Sequence, residues 1–364
     1  MKRGWRRLLL AVLLVVLAAA LVLLVDPIVS GMSTPAEAVD GTSRYLTVCF
    51  IGIPFITAYN IISSIFRGMG DSKSPMFFIA IACAFNIALD YLFIGVLKLG
   101  PAGAALGTTL SQTISVLISL TMICRKRMIP EFHFADLKPV RSMMGGLLKI
   151  GFPIAMQDGF IQIAFIVITI IANRRGLNDA AAVGIVEKMI SLFFLVPSSM
   201  LSTVSALGAQ NIGAGKPERA IQTLRYAVML AAGFGVLASI AIQFTAEGIV
   251  SLFTDPSTAN GAAVVRFGGQ YLRGYIFDCI FAGIHFSFSG FFCACRKSGL
   301  SFLHNILAIV LMRVPGVYVT SKLFPATLLP MGLATAAGSL LSVVICLIAF
   351  GVIRRKSTLV LVEE

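Results

Sequence analysis

Apolar residues in this chain fall in long uninterrupted blocks separated by short polar stretches. A window of about 19 residues predicts spans at 8–25, 44–66, 76–97, 101–124, 147–172, 180–205, 221–245, 264–292, 300–321 and 331–353. Each is near the ~20 residues a helix needs to cross a hydrocarbon layer. Strands of a membrane β-barrel would alternate apolar and polar over ~10 residues, and these blocks do not. The pattern predicts an all-α polytopic membrane protein of about ten transmembrane helices. The first block, LLLAVLLVVLAAALVLLV after MKRGWRR, is longer than the ~7–15-residue core of a secretory signal. It reads as a retained helix.

Composition agrees. Of the 364 residues, 58% are hydrophobic and 12% charged, where soluble domains carry about 25% charged residues. The net charge of +13 changes the picture only through its placement. Lys2, Arg3, Arg6, Arg7, Arg67, Lys73, the Arg125–Lys149 group, Lys216, Arg219, Arg225, Arg296, Lys297 and Arg354 to Lys356 fall on one side of alternately numbered loops. The positive-inside rule makes that side cytoplasmic, with both termini there, in an inner (plasma) membrane. Charges scattered over short loops do not make a nucleic-acid surface, and no nucleic-acid partner is expected. The seven cysteines lie mainly in spans, as small apolar residues do. The Cys293-x-Cys295 pair has no second Cys or His pair nearby in sequence, so no metal and no cofactor are expected.

The two parts of the chain echo each other. IVSGMSTPAEAVDGTSRYL (28–46) resembles IVSLFTDPSTANGAAVVRFGGQYL (249–272), and LGTTLSQTISVLI (106–118) resembles LATAAGSLLSVVI (333–345). In the second pair Thr108 stands opposite Thr335 and Ser115 opposite Ser342. An offset of about 221–227 residues spans an even number of helices, which makes a parallel repeat like those of transporters built from two bundles. Residues 1–139 form an N-lobe of four helices and 140–364 a C-lobe of six. By this repeat, the counterpart of 147–220 would precede Met1 and two helices are expected to be missing.

Asp90 is the most informative single residue. An acid in an apolar span costs at least ~2.5–3.5 kcal/mol on insertion scales. Asn86 lies one helical turn before it on the same face, and Thr108 stands at similar depth on the next helix. Carboxylate, amide and hydroxyl oxygens together can bind Na⁺ or hold a proton. The bland reading has Asp90 near the outer interface, capping backbone groups. The C-lobe carries its own polar set, with Gln157 and Asp158 in one span, Glu187 in the next and Asp278 near the middle of another. These are candidates for a substrate or second cation site. For Glu187 the competing reading is a surface pair with Lys188 or Arg175. His133 lies in the long loop; His285 and His304 read as helix–helix hydrogen bonds. GIHFSFSG (283–290), with Ser287 or Ser289 opposite His304, would be the only ground for an intramembrane hydrolase. No enzyme is expected.

Four stretches resemble one family. LGAQNIGAGKPERA (207–220), FRGMGDSKSPM (66–76), KIGFPIAMQDGF (149–160) and MRVPGVYV (312–319) are similar to motifs of the multidrug and toxic compound extrusion (MATE) family. They mark essentially the whole chain as resembling that family's third to twelfth helices. In these loops Gly70, Gly213 and Gly215 allow tight turns, Asp71 belongs to a turn, and Pro75 starts a helix. The amides of Gln210 and Asn211 can cap a helix end. The resemblance implies cation-driven export of amphipathic or cationic small molecules by alternating access, with Na⁺ or H⁺ as coupling ion. It implies Asn60, Asn86, Asp90 and Thr108 as the coupling group. Membrane lipids and a drug-like substrate are the implied partners, acting on a monomer. A lipid-linked oligosaccharide flippase of the same superfamily, or a non-functional truncated fragment, are the alternatives. In the C-lobe, Ile161 stands where the family pattern would carry an acid.

Overall fold

The computed structural model describes residues 18–31, 36–125 and 141–355. Most of the first predicted span, His133 and the basic residues before 18, from 126 to 140 and after 355 lie outside them. The described residues are helical nearly throughout and contain no strand. Among them, nine helices are long and apolar enough to cross a membrane. Each matches one of the last nine predicted spans and contains it, except that 76–97 runs one residue past Lys73–Val96.

The chain forms two compact units, Met1–Arg141 and Ser142–Glu364. In the first, α1 is Val25–Gly31, α2 Ala36–Gly68, α3 Lys73–Asp90 and α4 Gly100–Arg125. Directly after Asp90, α3 widens into a π turn, Tyr91–Val96. Helix α4 packs on both α2 and α3. Phe66 and Phe78 meet edge to face, with ring centroids 5.5 Å apart, in a core that includes Tyr59, Ile62 and Val116.

In the second unit, α5 is Arg141–Asn173, α6 Leu177–Phe193, α7 Leu195–Gly213, α8 Pro217–Ser251, α9 Ala259–Tyr275, α10 Asp278–Ala294, α11 Ser298–Ala308, α12 Val314–Leu323 and α13 Leu329–Arg355. Three predicted spans prove to be interrupted: α6 and α7 break at Phe194, α9 and α10 at Ile276–Phe277, and α11 and α12 at a second π turn, Ile309–Arg313. The α9–α10 rod is the centre of this unit. In its most apolar window 72% of the residues are buried, against at most 39% in any other span. It packs on α6, α7, α8 and α13. That explains why it carries the polar side chains that water cannot reach, including Asp278, His285, Ser287 and Ser289.

The repeat seen in sequence has a physical counterpart. Ser115 Oγ donates to the Phe78 carbonyl at 3.2 Å, and Ser342 Oγ to the His304 carbonyl at 3.2 Å. Thr108 Oγ1 donates to the Ala104 carbonyl at 3.1 Å, and Thr335 Oγ1 to the Met331 carbonyl at 3.0 Å. Helices α3 and α4 thus correspond to α11–α12 and α13, down to individual hydroxyls.

Candidate functional site

In the first unit the site is built where α3 meets α4. Asn86 and Asp90, four residues apart, point their side chains at Gly107 of α4. A methyl group there would overlap Asp90 Oδ1 and lie 3.2 Å from its Cγ and 3.4 Å from Asn86 Nδ2. Asp90 Oδ1 and Asn86 Nδ2 are both buried, and neither has a hydrogen-bond partner among the described residues. Leaving such a group unpaired costs about 1–3 kcal/mol. An acceptor oxygen and a donor nitrogen thus converge on one spot without satisfying each other. A proton or a small cation on the carboxylate would remove that cost on the acid side.

The other two members of the expected group are not brought there. Thr108 is exposed and its hydroxyl is spent on the Ala104 carbonyl. One residue is about 100° on a helix, so placing Gly107 against α3 turns Thr108 away. Asn60 is exposed on α2. Its carbonyl accepts from Ser64 Oγ at 2.8 Å. Gly107 was not singled out from the sequence, although it is the residue before Thr108. Ser63 Oγ and Gln112 Oε1 are further buried oxygens of this unit without a partner among the described residues.

In the second unit the expected polar set separates. Asp278, fully buried at the start of α10, is paired with Arg313, whose side chain is 11% exposed. The Arg313 guanidinium carbon lies 5.9 Å from the Phe165 ring centre. Tyr271, Tyr275 and Ser339 surround the pair. Glu187 is half-buried and accepts from Thr169 Oγ1 at 3.4 Å. It pairs with neither Lys188 nor Arg175. Arg175 binds Asp179 at 2.6 Å and the carbonyls of Ser321, Phe324, Pro325 and Thr327, closing the α5–α6 corner instead. Gln157 is buried and accepts from Ser301 Oγ at 2.7 Å. Asp158, the next residue, points elsewhere and is exposed. A single residue's step around α5 thus splits the two, and they do not join Asp278 in one site.

His304 ties three helices together. Its Nδ1 lies 3.0 Å from Ser342 Oγ on α13, and its Nε2 lies 2.9 Å from Ser289 Oγ on α10. Ser342 already donates its proton to the His304 carbonyl, so it accepts from Nδ1–H. Nε2 then accepts from Ser289, which fixes the neutral tautomer. Both hydroxyls are buried, and no acid faces the ring's second nitrogen. The Ser289–His304 contact is therefore a structural tie without the acid–base–nucleophile order of a hydrolase.

The loop motifs are helix stops. After α2, Gly70 takes φ +87° and its N–H bonds the Arg67 carbonyl, while the Asp71 N–H bonds Phe66. After α7, Gly215 takes φ +70° and bonds Ile212, while Lys216 bonds Asn211. Both are Schellman closures, which favour glycine because φ is positive. Asp71 then opens α3, its carboxylate accepting the Ser74 N–H at 3.0 Å and the Ser74 hydroxyl at 2.6 Å. Pro75 sits in the first turn, where its missing N–H leaves no bond broken, and its carbonyl accepts from Tyr59 at 3.4 Å. Gly213 is the last residue of α7. The cap there is made by backbone: the Gln210 carbonyl accepts the Ala214 N–H, and the Asn211 amide bonds back to Leu207 at 2.8 Å. A third closure, after α10, puts Arg296 at φ +57°.

A family model described as MatE matches residues 5–92 and 153–319. A probable multidrug resistance protein, YpnP of Bacillus subtilis, is 29% identical over 307 residues, covering 84% of this chain and 66% of that protein. An FAD transporter of Shewanella oneidensis is 26% identical, covering 84% and 67%. A MOP superfamily transporter from Pyrococcus furiosus has a similar fold, with a TM-score of 0.87 at 21% identity over 97% of this chain and 78% of the other. The chain spans about two thirds or less of the length of the curated relatives it matches.

Proposed function

Because this chain belongs to the multidrug and toxic compound extrusion (MatE) family, we propose that it takes part in cation-coupled export of small amphipathic or cationic molecules. Asp90 is the coupling acid and Asn86 its neighbour. The observation that carries the reading is the pair of buried, unpartnered polar atoms, Asp90 Oδ1 and Asn86 Nδ2, held against Gly107. Na⁺ or H⁺ on the carboxylate lets this spot exist in an apolar interior. Without the ion, the helices around it repack, because a bare acid there is costly. A ligand shifts such an equilibrium only by its differential affinity for the two states, and Asp90 supplies that difference. The Lys and Arg bias of the loops supports an orientation with both termini cytoplasmic in an inner membrane. The chain is read as a monomer surrounded by lipid, with a drug-like molecule as cargo.

The test is export of a fluorescent cationic amphiphile from vesicles holding the full chain, under an imposed Na⁺ or pH gradient. Asp90→Asn abolishes gradient-driven movement in both. Full export by that variant would sink the reading.

A further inference from the structure

The repeat lets the two units be compared atom by atom. Gly107 of α4 corresponds to Ala334 of α13, in the register fixed by Thr108 with Thr335 and Ser115 with Ser342. The residue facing Gly107 is Asp90. The residue facing Ala334 is Gly316, on which a Cβ would lie 3.3 Å from the Ala334 Cβ. The crossing that holds an acid in unit 1 is closed by two small apolar residues in unit 2.

The charge of unit 2 stands about one turn earlier, on the stretch that corresponds to Asn86. Arg313 ends the π turn Ile309–Arg313, and its backbone lies against Gly338, where a Cβ would come within 2.7 Å of the Arg313 Cβ. Its guanidinium goes to the buried Asp278 carboxylate. The groups around the pair are Tyr271, Tyr275, Ser339 and Glu187, which itself accepts from Thr169. Asp278 Oδ1 and Glu187 Oε1 are, like Asp90 Oδ1, buried without a hydrogen-bond partner among the described residues; what sets Asp278 apart from Asp90 is the guanidinium on its other oxygen. The Phe165 ring lies on the guanidinium. Guanidinium does not lose its proton in proteins, so this cation is permanent, and it cannot leave.

We propose that Arg313 is a tethered cation that fills the Asp278 site of unit 2, so that the coupling ion binds unit 1 alone. The proposal rests on the coupling role given to Asp90. Arg313 sets ion number by occupying Asp278, and it touches neither cargo nor ion.

The experiment reads the melting temperature of the purified full chain in two titrations: NaCl at pH 8, and pH 8 to 5.5 in choline chloride. Where a cation site is present and filled a hundredfold above Kd, a rise of about 3–6 °C is expected. The unaltered chain gives the rise with one of the two cations. Asp90→Asn removes it, and Asp278→Asn and Glu187→Gln keep it. Adding Arg313→Ala to Asp90→Asn restores a rise, which Asp278→Asn added on top abolishes. A rise that persists in Asp90→Asn and is lost on adding Asp278→Asn or Glu187→Gln would overturn the proposal. So would a folded Asp90→Asn, Arg313→Ala chain that gains no response. If Arg313→Ala does not fold, the comparison of Asp90→Asn with Asp278→Asn on the Arg-containing chain still decides. No response in the unaltered chain would instead remove the coupling reading itself; a response gained by Arg313→Ala would then still support the tethered cation, and none would overturn it.

Discussion

Replacing Gly107 with alanine puts a methyl group where Asp90 Oδ1 now lies. The carboxylate must move, and overpacking of this kind costs about 1–3 kcal/mol. The expected result is a lower melting temperature together with a blunted cation response, where an alanine elsewhere on α4 would change only the first. His304 is the opposite case, a side chain with every polar atom matched. His304→Ala leaves the Ser289 and Ser342 hydroxyls short of partners in a dry interior. A loss of about 2–4 kcal/mol in unfolding free energy is expected from the cavity and the unpaired groups together, and about half that for Ser342→Ala. The sequence revealed part of this. Asn86 and Asp90 were legible because a spacing of four residues puts them on one helix face. Gly107 was not, because a glycine in an apolar helix has no chemistry to notice; what it does depends on which residue of the neighbouring helix arrives opposite. Thr108 drew notice for its hydroxyl and proved to face away.

At the level of single elements, the helix ends were legible and the helix interiors were not. Gly70 and Gly215 stood out as turn residues, and both occupy the left-handed position of a Schellman closure. The third closure has the same bonds, Arg296 N–H to Cys293 and Lys297 N–H to Phe292, with arginine in the left-handed conformation. A non-glycine residue there is strained by about 1–2 kcal/mol. Arg296→Gly is therefore expected to raise stability by about 1 kcal/mol, less the added flexibility of the unfolded chain, as measured by denaturant or thermal unfolding. The two π turns left no trace in the hydrophobic pattern, because one extra residue in a wide turn barely disturbs an apolar run. They matter all the same: Asp90 immediately precedes one, and Arg313 ends the other.

For the whole chain, the nine described spans were legible from apolar block length alone, and the repeat from two short echoes. The pairing of Asp278 with Arg313 was not. The two are 35 residues apart, on helices whose contact depends on the break at Ile276–Phe277 and on the π turn before Arg313. The two repeats thus hold charge differently, Asp90 without a cationic partner and Asp278 ion-paired with Arg313. A membrane potential acts on net charge, at about 2.3 kcal/mol per elementary charge for each 100 mV crossed. The Asp278–Arg313 couple sums to zero and is electrically silent, while under the coupling role proposed for Asp90 a bound monovalent cation would cancel the charge of its carboxylate. On that proposal, voltage would act through Asp90 on the unloaded step and leave the Asp278–Arg313 couple untouched.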